Sequence, residues 1–127
     1  MQEKHLFEYA VIRVVPQVER EEFLNVGVIL YCAKMKFLQC MCAVNDERLC
    51  SFSNRIDIVD LKNHLHSFGE ICHGSKEGGP IAQLDMPSRF RWLTATRSTV
   101  VQTSKVHPGL SVDPAETLEK LYGELVL

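Results

Sequence analysis

From Leu6 to Val15 the chain alternates imperfectly between two sets of side chains. Phe7, Tyr9, Val11 and Arg13 fall on one side, and Leu6, Glu8, Ala10, Ile12 and Val14 on the other. β-Branched and aromatic residues at period two read as a strand, and Pro16, which has no N–H for a ladder, ends it. Asn25 to Ala33 is the clearest strand, with Val26, Val28, Leu30 and Cys32 on one face and Gly27, Ile29, Tyr31 and Ala33 on the other. Both faces are apolar, which predicts a central strand covered on both sides. Gly27 within it predicts a close approach by a neighbour. Lys34-Met35-Lys36 is a polar break before a third strand, Phe37 to Val44. Strands joined by such short links predict an antiparallel meander.

Asn45-Asp46 reads as the beginning of a loop. Asp57 to Cys72 then predicts a helix, because Ile58, Leu61, Leu65, Phe68 and Cys72 form one apolar stripe. Asp57 suits its N-cap and Gly74 its C-terminal stop. Gly74 to Pro80 is a loop by composition, and Pro87 to Ala95 a short helix with Pro87 in its first turn. Thr99 to Ser104 is a fourth strand candidate, and His107-Pro108-Gly109 reads as a turn. Asp113-Pro114-Ala115-Glu116 is a helix start, and Leu118, Leu121, Tyr122 and Leu125 give the closing helix its inward face. The expectation is an α+β fold: a mostly antiparallel sheet of about four strands, opening with a three-strand meander, with two to three helices packed on it. The chain's 127 residues fit a single domain, 1–127.

Composition narrows the function only a little. Hydrophobic content of 46% and charged content of 24% are ordinary for a globular protein, and a net charge of −2 argues against nucleic-acid binding by bulk electrostatics. No apolar run approaches the ~20 residues of a membrane span. Met1-Gln-Glu-Lys-His5 carries an acid and leads into no long apolar stretch, so no signal peptide is expected. The expected location is cytoplasmic, without a membrane partner. The five cysteines, Cys32, Cys40, Cys42, Cys50 and Cys72, show no Cys-x-x-Cys spacing and suit a reducing compartment. Cys40 and Cys42 share a strand face. A metal reading would recruit them with His64, His66 or His73, whereas the simpler reading makes them small core hydrophobes. No His-Glu-x-x-His, P-loop, Gly-x-Ser-x-Gly or dinucleotide fingerprint is present, and no metal or cofactor is expected.

Two polar clusters carry the candidate chemistry. The first is Arg13, Arg20, Glu21, Glu22 and Asn25, set between two core strands. If the Arg13 face is covered, that guanidinium needs a carboxylate, and Glu21 or Glu22 could supply it in an ion-paired turn. Alternatively Arg13 and Arg20 hold an anion, with Asn25 adding donors and Glu22 present for acid–base work. The second cluster runs from Ser88 to Ser98 and holds Arg89, Arg91, Arg97, Trp92 and several hydroxyls. On a helix, Arg89 and Trp92 share a face and Arg91 points elsewhere. Guanidinium forks beside hydroxyls suit an anionic small ligand. The alternative is a solvated amphipathic helix that buries Phe90, Leu93 or Trp92. The candidate ligand-binding set is therefore Arg13, Arg20, Glu22, Asn25, Arg89, Arg91, Arg97 and Ser98.

Three functions remain open. One is a small binding or regulatory module acting on a protein partner through an anion-recognising arginine cluster. Another is an enzyme or binder acting on a phosphorylated or nucleotide ligand, with Arg20, Arg89 and Arg97 as clamps and Glu22 or His107 as acid–base group. It requires both clusters to meet in one pocket. The third is nucleic-acid binding through Arg89, Arg91 and Trp92.

The motifs Tyr9-x-Val-Ile-Arg-Val-Val-Pro16, Arg20-Glu-Glu-Phe-x-Asn-Val-Gly-Val-Ile-Leu30, Arg89-Phe-Arg-Trp-Leu93 and Arg97-Ser98, with the Asp-Pro-opened last helix, resemble an uncharacterised bacterial family, domain of unknown function 3037. The resemblance implies no established activity. It implies a kinase-like neighbour of the toxin–antitoxin type, hence a partner or regulator. The positions matching the family pattern are Arg20, Glu22, Asn25, Gly27, Arg89, Arg91, Arg97 and Ser98.

Overall fold

The computed structural model describes residues 3–17, 20–97 and 99–127. Strands β1 (His5–Val14), β2 (Leu24–Cys32) and β3 (Phe37–Cys42) form the expected antiparallel meander. Helices α1 (Asp46–Phe52), α2 (Ile58–His73), α3 (Gly79–Ala82) and α4 (Met86–Leu93) follow. Strands β4 (Val101–Thr103) and β5 (His107–Ser111) then both pair antiparallel with the free side of β1, and α5 (Pro114–Leu125) closes the order. The fold is α+β, with five strands and five helices among the described residues.

The two faces of the sheet bury different cores. Ala10, Ile12, Val14 and Ile29 pack against Leu61, Leu65, Phe68 and Cys72 of α2 and Phe90 and Leu93 of α4. On the opposite face Phe7, Val28, Leu30 and Cys32 pack against Leu118 of α5 and Val126. This double cover explains why β2 is apolar on both sides. A built Cβ on Gly27 would sit 2.5 Å from the Met41 carbonyl oxygen and 2.7 Å from Cys42 Sγ, so only glycine fits this close approach.

Four sequence expectations need correction. Val26 does not share a face with Val28 and Leu30. Pairing runs from Ile12↔Gly27 directly to Arg13↔Asn25, so Val26 is the extra residue of a bulge and turns into the α2 core. The supposed loop from Asn45 contains α1, because the Asn45 side chain accepts the Arg48 N–H at 3.0 Å and caps it. The supposed loop from Gly74 contains a short 3-10 turn and α3, and the two to three helices become five. His107-Pro108-Gly109 is not a turn but the start of β5, with Gly109 opposite Phe7 and the His107 and Tyr9 rings 5.3 Å apart.

The other helices follow their signals. Asp57 caps α2, Gly74 ends it at φ 68°, and Asp113 caps α5 behind Pro114. Among the described residues no helix is long and apolar enough to cross a membrane.

Candidate functional site

Arg20 and Glu22 sit at the turn into β2, with Nη2 2.6 Å from Oε1 and both side chains more than half exposed. The ion pair is closed and solvated, and Glu21 beside it takes a positive φ of 57°. These residues edge a polar hollow of about 420 Å³ shared with Ser51, Ser53 and Arg55 at the end of α1.

Among the described residues, Arg13 pairs with no carboxylate. Its guanidinium lies 3.9 Å from the centre of the Phe23 ring, and burial lowers its pKa from the ordinary value. Its Nε is buried without a hydrogen-bond partner. The neighbours Ile12 and Val14 enter the α2 core, so alternation along β1 directs Arg13 to the opposite face of the sheet. Asn25, cross-strand from Arg13, donates through Nδ2 to the Leu125 carbonyl at 3.1 Å and ties β2 to the end of α5. Arg48 donates to the next carbonyl, Val126, at 2.9 Å, so the close of α5 is held twice.

The second cluster disperses as well. Asp85 caps α4 by accepting the Ser88 N–H at 2.9 Å, and Phe90 and Leu93 turn inward. Hydrogen bonds from the Ser88 side chain and backbone hold the Asp85 carboxyl below its ordinary pKa. Arg89 folds back to donate to the Leu84 carbonyl at 2.7 Å and braces Gly74. Arg91 is exposed on the far side of the helix. Ser98 lies outside the described residues.

Arg97 is different. Its guanidinium stacks 4.0 Å from the Trp92 ring centre and donates to the Trp92 carbonyl at the C-terminal end of α4. Burial lowers its pKa, as expected for a cation moved partly out of water. Trp92 itself remains 40% exposed. The stacked pair borders a cleft of about 360 Å³ between α2, the end of α4 and β4. Phe68, Ile71 and Leu93, all core residues, supply apolar walls. Asn63, His64 and Ser67 of α2, with Thr99, Gln102 and Thr103, supply polar groups. His64 Nε2 stands 3.8 Å from Asp60 one turn earlier. Among the described residues, no carboxylate lines the cleft.

The structure therefore brings Arg97 and Trp92 together, sets Arg20 with Glu22 in a separate hollow, and places Arg13, Asn25 and Arg89 in contacts within the fold. Asn63 and Ser67 of α2 were not among the sequence candidates, and His64 was named only in the metal reading. The available signal was the i, i+4 spacing of Asn63 and Ser67, which share an exposed helix face. The cysteines form no such site. Cys42 Sγ tucks over Gly27, and its hydrogen bond to Cys40 together with desolvation raises its pKa, so it stays a thiol. Among the described residues no group of three histidine, cysteine or carboxylate side chains is placed to hold a metal.

No curated protein and no solved structure matches the sequence significantly. The family described as Protein of unknown function (DUF3037) matches residues 9–126, nearly the whole chain, and the protein belongs to that family.

Proposed function

We propose that this protein is a single-domain, cytoplasmic binding module whose working site is the cleft between α2 and β4, with Arg97 as the cation that meets an anionic small ligand. One observation carries the reading: a partly desolvated guanidinium, fixed on Trp92, borders a 360 Å³ cleft lined by no carboxylate among the described residues. That volume lies toward the small end of ligand pockets, and the mixture of apolar walls with a few polar groups is the usual composition of one. Occupancy of the cleft would then tune a protein partner, in keeping with the kinase-like neighbour that the family resemblance implies.

Thermal denaturation of the full chain against a panel of carboxylates, phosphosugars and nucleotides tests the site. A ligand at 100 times its Kd stabilises by roughly 2.7 kcal/mol. The expected result is a shift present in the wild type and in Arg20→Ala and absent in Arg97→Ala. A shift that survives in Arg97→Ala, or none with any compound, defeats the proposal. The enzyme reading, which needs Arg20, Arg89 and Arg97 around one substrate, gains no support from an arrangement that leaves only Arg97 in this cleft.

A further inference from the structure

Resting on the cleft reading, we infer that the ligand is a small organic monocarboxylate with an apolar body, and not a phosphorylated compound. Charge is the first argument. Apart from His64, which stands beside Asp60, Arg97 is the one ionisable side chain among the described residues lining the cleft. A phosphate monoester carries about 1.5 to 2 negative charges near neutral pH, whereas a carboxylate carries one. One guanidinium matches the second and leaves the first partly uncompensated.

The backbone sharpens the difference. Phosphate sites commonly present helix N-termini or nests of N–H groups. Here α4 meets the cleft with its C-terminal end, the negative pole of its dipole, at Trp92 and Leu93. Part of the Arg97 charge is already spent on the Trp92 carbonyl. Its other N–H groups remain as a planar fork, and the indole beneath fixes the plane. Two carboxylate oxygens fit such a fork in a bidentate contact. Beyond the fork, Phe68, Ile71 and Leu93 offer a hydrocarbon or aromatic body the apolar contact that a sugar's hydroxyls would waste.

Isothermal titration of the full-length protein separates head group from body. The probes share benzyl, indolyl-methyl or hexyl bodies and differ in carrying a carboxylate, the corresponding carboxamide or a phosphate. With at least one body, the carboxylate should bind ten-fold or more tightly than both its amide and its phosphate. That preference should vanish in Arg97→Gln and shrink in Arg97→Lys, which keeps the charge and loses the fork. Circular dichroism and a thermal melt establish that each variant is folded, and Arg20→Ala serves as the charge-matched control. If the phosphate binds most tightly and loses that advantage in Arg97→Gln, the cleft stands and the monocarboxylate assignment falls. If no probe binds, or if binding ignores Arg97, both fall together.

Discussion

Arg20 and Arg97 occupy the two arginine clusters that stand out in the sequence, and their surroundings differ in kind. Arg20 meets Glu22 at 2.6 Å in open solvent, where high dielectric and a matched counter-charge leave little field to attract anything else. Arg97 rests on an indole, donates to a helix-terminal carbonyl and, among the described residues, has no carboxylate beside it in the lining of its cleft. The first guanidinium is neutralised where it stands. The second is partly desolvated and still positive. A cluster of arginines thus says little about function until the counter-charge and the exposure of each are known.

The contrast is most severely tested at the wall that the cleft shares with the core. Leu93 is 2% exposed and belongs to the α2 core while lining the cleft. Truncation in Leu93→Ala should cost about 2–5 kcal/mol, read from the denaturant midpoint at unchanged slope, as lost transfer energy and a residual cavity add. A cost under ~1 kcal/mol would mean that this wall is loose, and the proposed recognition of an apolar body would lose its floor. The first cluster offers a matching test through Asn25. Asn25→Ala removes the donor to the Leu125 carbonyl and should cost about 1–3 kcal/mol of stability without altering ligand binding. A loss of ligand binding in a variant still folded would place the first cluster back in the site.

A smaller effect concerns how α4 is held. The folded pKa of Asp85 lies below its ordinary value, so the cap contributes stability above the unfolded value of roughly 4 and loses it as pH falls through the folded one. Asp85→Asn keeps an acceptor for the Ser88 N–H and lacks the charge. The wild type should therefore exceed the variant slightly at neutral pH, and the gap should close below about pH 4. Parallel urea titrations from pH 7 to pH 3 measure it. A gap that widens on acidification would contradict the depressed pKa.

Much of the scaffold was legible because periodicity depends on local chain geometry. The meander, α2, α4 and α5 all announce themselves by two-residue or helical spacing and by Asp caps. Other elements carry no such pattern. Only Leu49 of α1 is buried, so no apolar stripe marks that helix. Pro108-Gly109 has turn composition, yet it is accepted in β5 because the Phe7 ring occupies the space where a side chain at 109 would go. Val26 changes faces through a bulge that only the pairing with β1 reveals.

The site follows the same division. Arg97 could be nominated from its neighbours in sequence, since its partner Trp92 is five residues away. The α2 residues that oppose it, and the lack of a carboxylate among the described lining residues, depend on how α2 packs over β4. Arg13 shows the limit of charge reasoning most directly. Its half-buried guanidinium was expected to need an acid, and among the described residues it meets the Phe23 ring instead.

The smallest expected effect bears most closely on the comparison between the two arginines. Both Arg20 and Glu22 are more than half exposed, so their attraction is screened and partly offset by the entropy of holding two long side chains together. Arg20→Ala should change stability by less than about 1 kcal/mol at low salt and by less still near 1 M, where the screening length falls to about 3 Å. Denaturant melts of wild type, Arg20→Ala, Glu22→Ala and the double variant isolate the pair's coupling, which should shrink as salt rises. A coupling above ~2 kcal/mol that ignored salt would mark the pair as desolvated, like Arg97, and would remove the distinction on which the choice of the α2–β4 cleft rests.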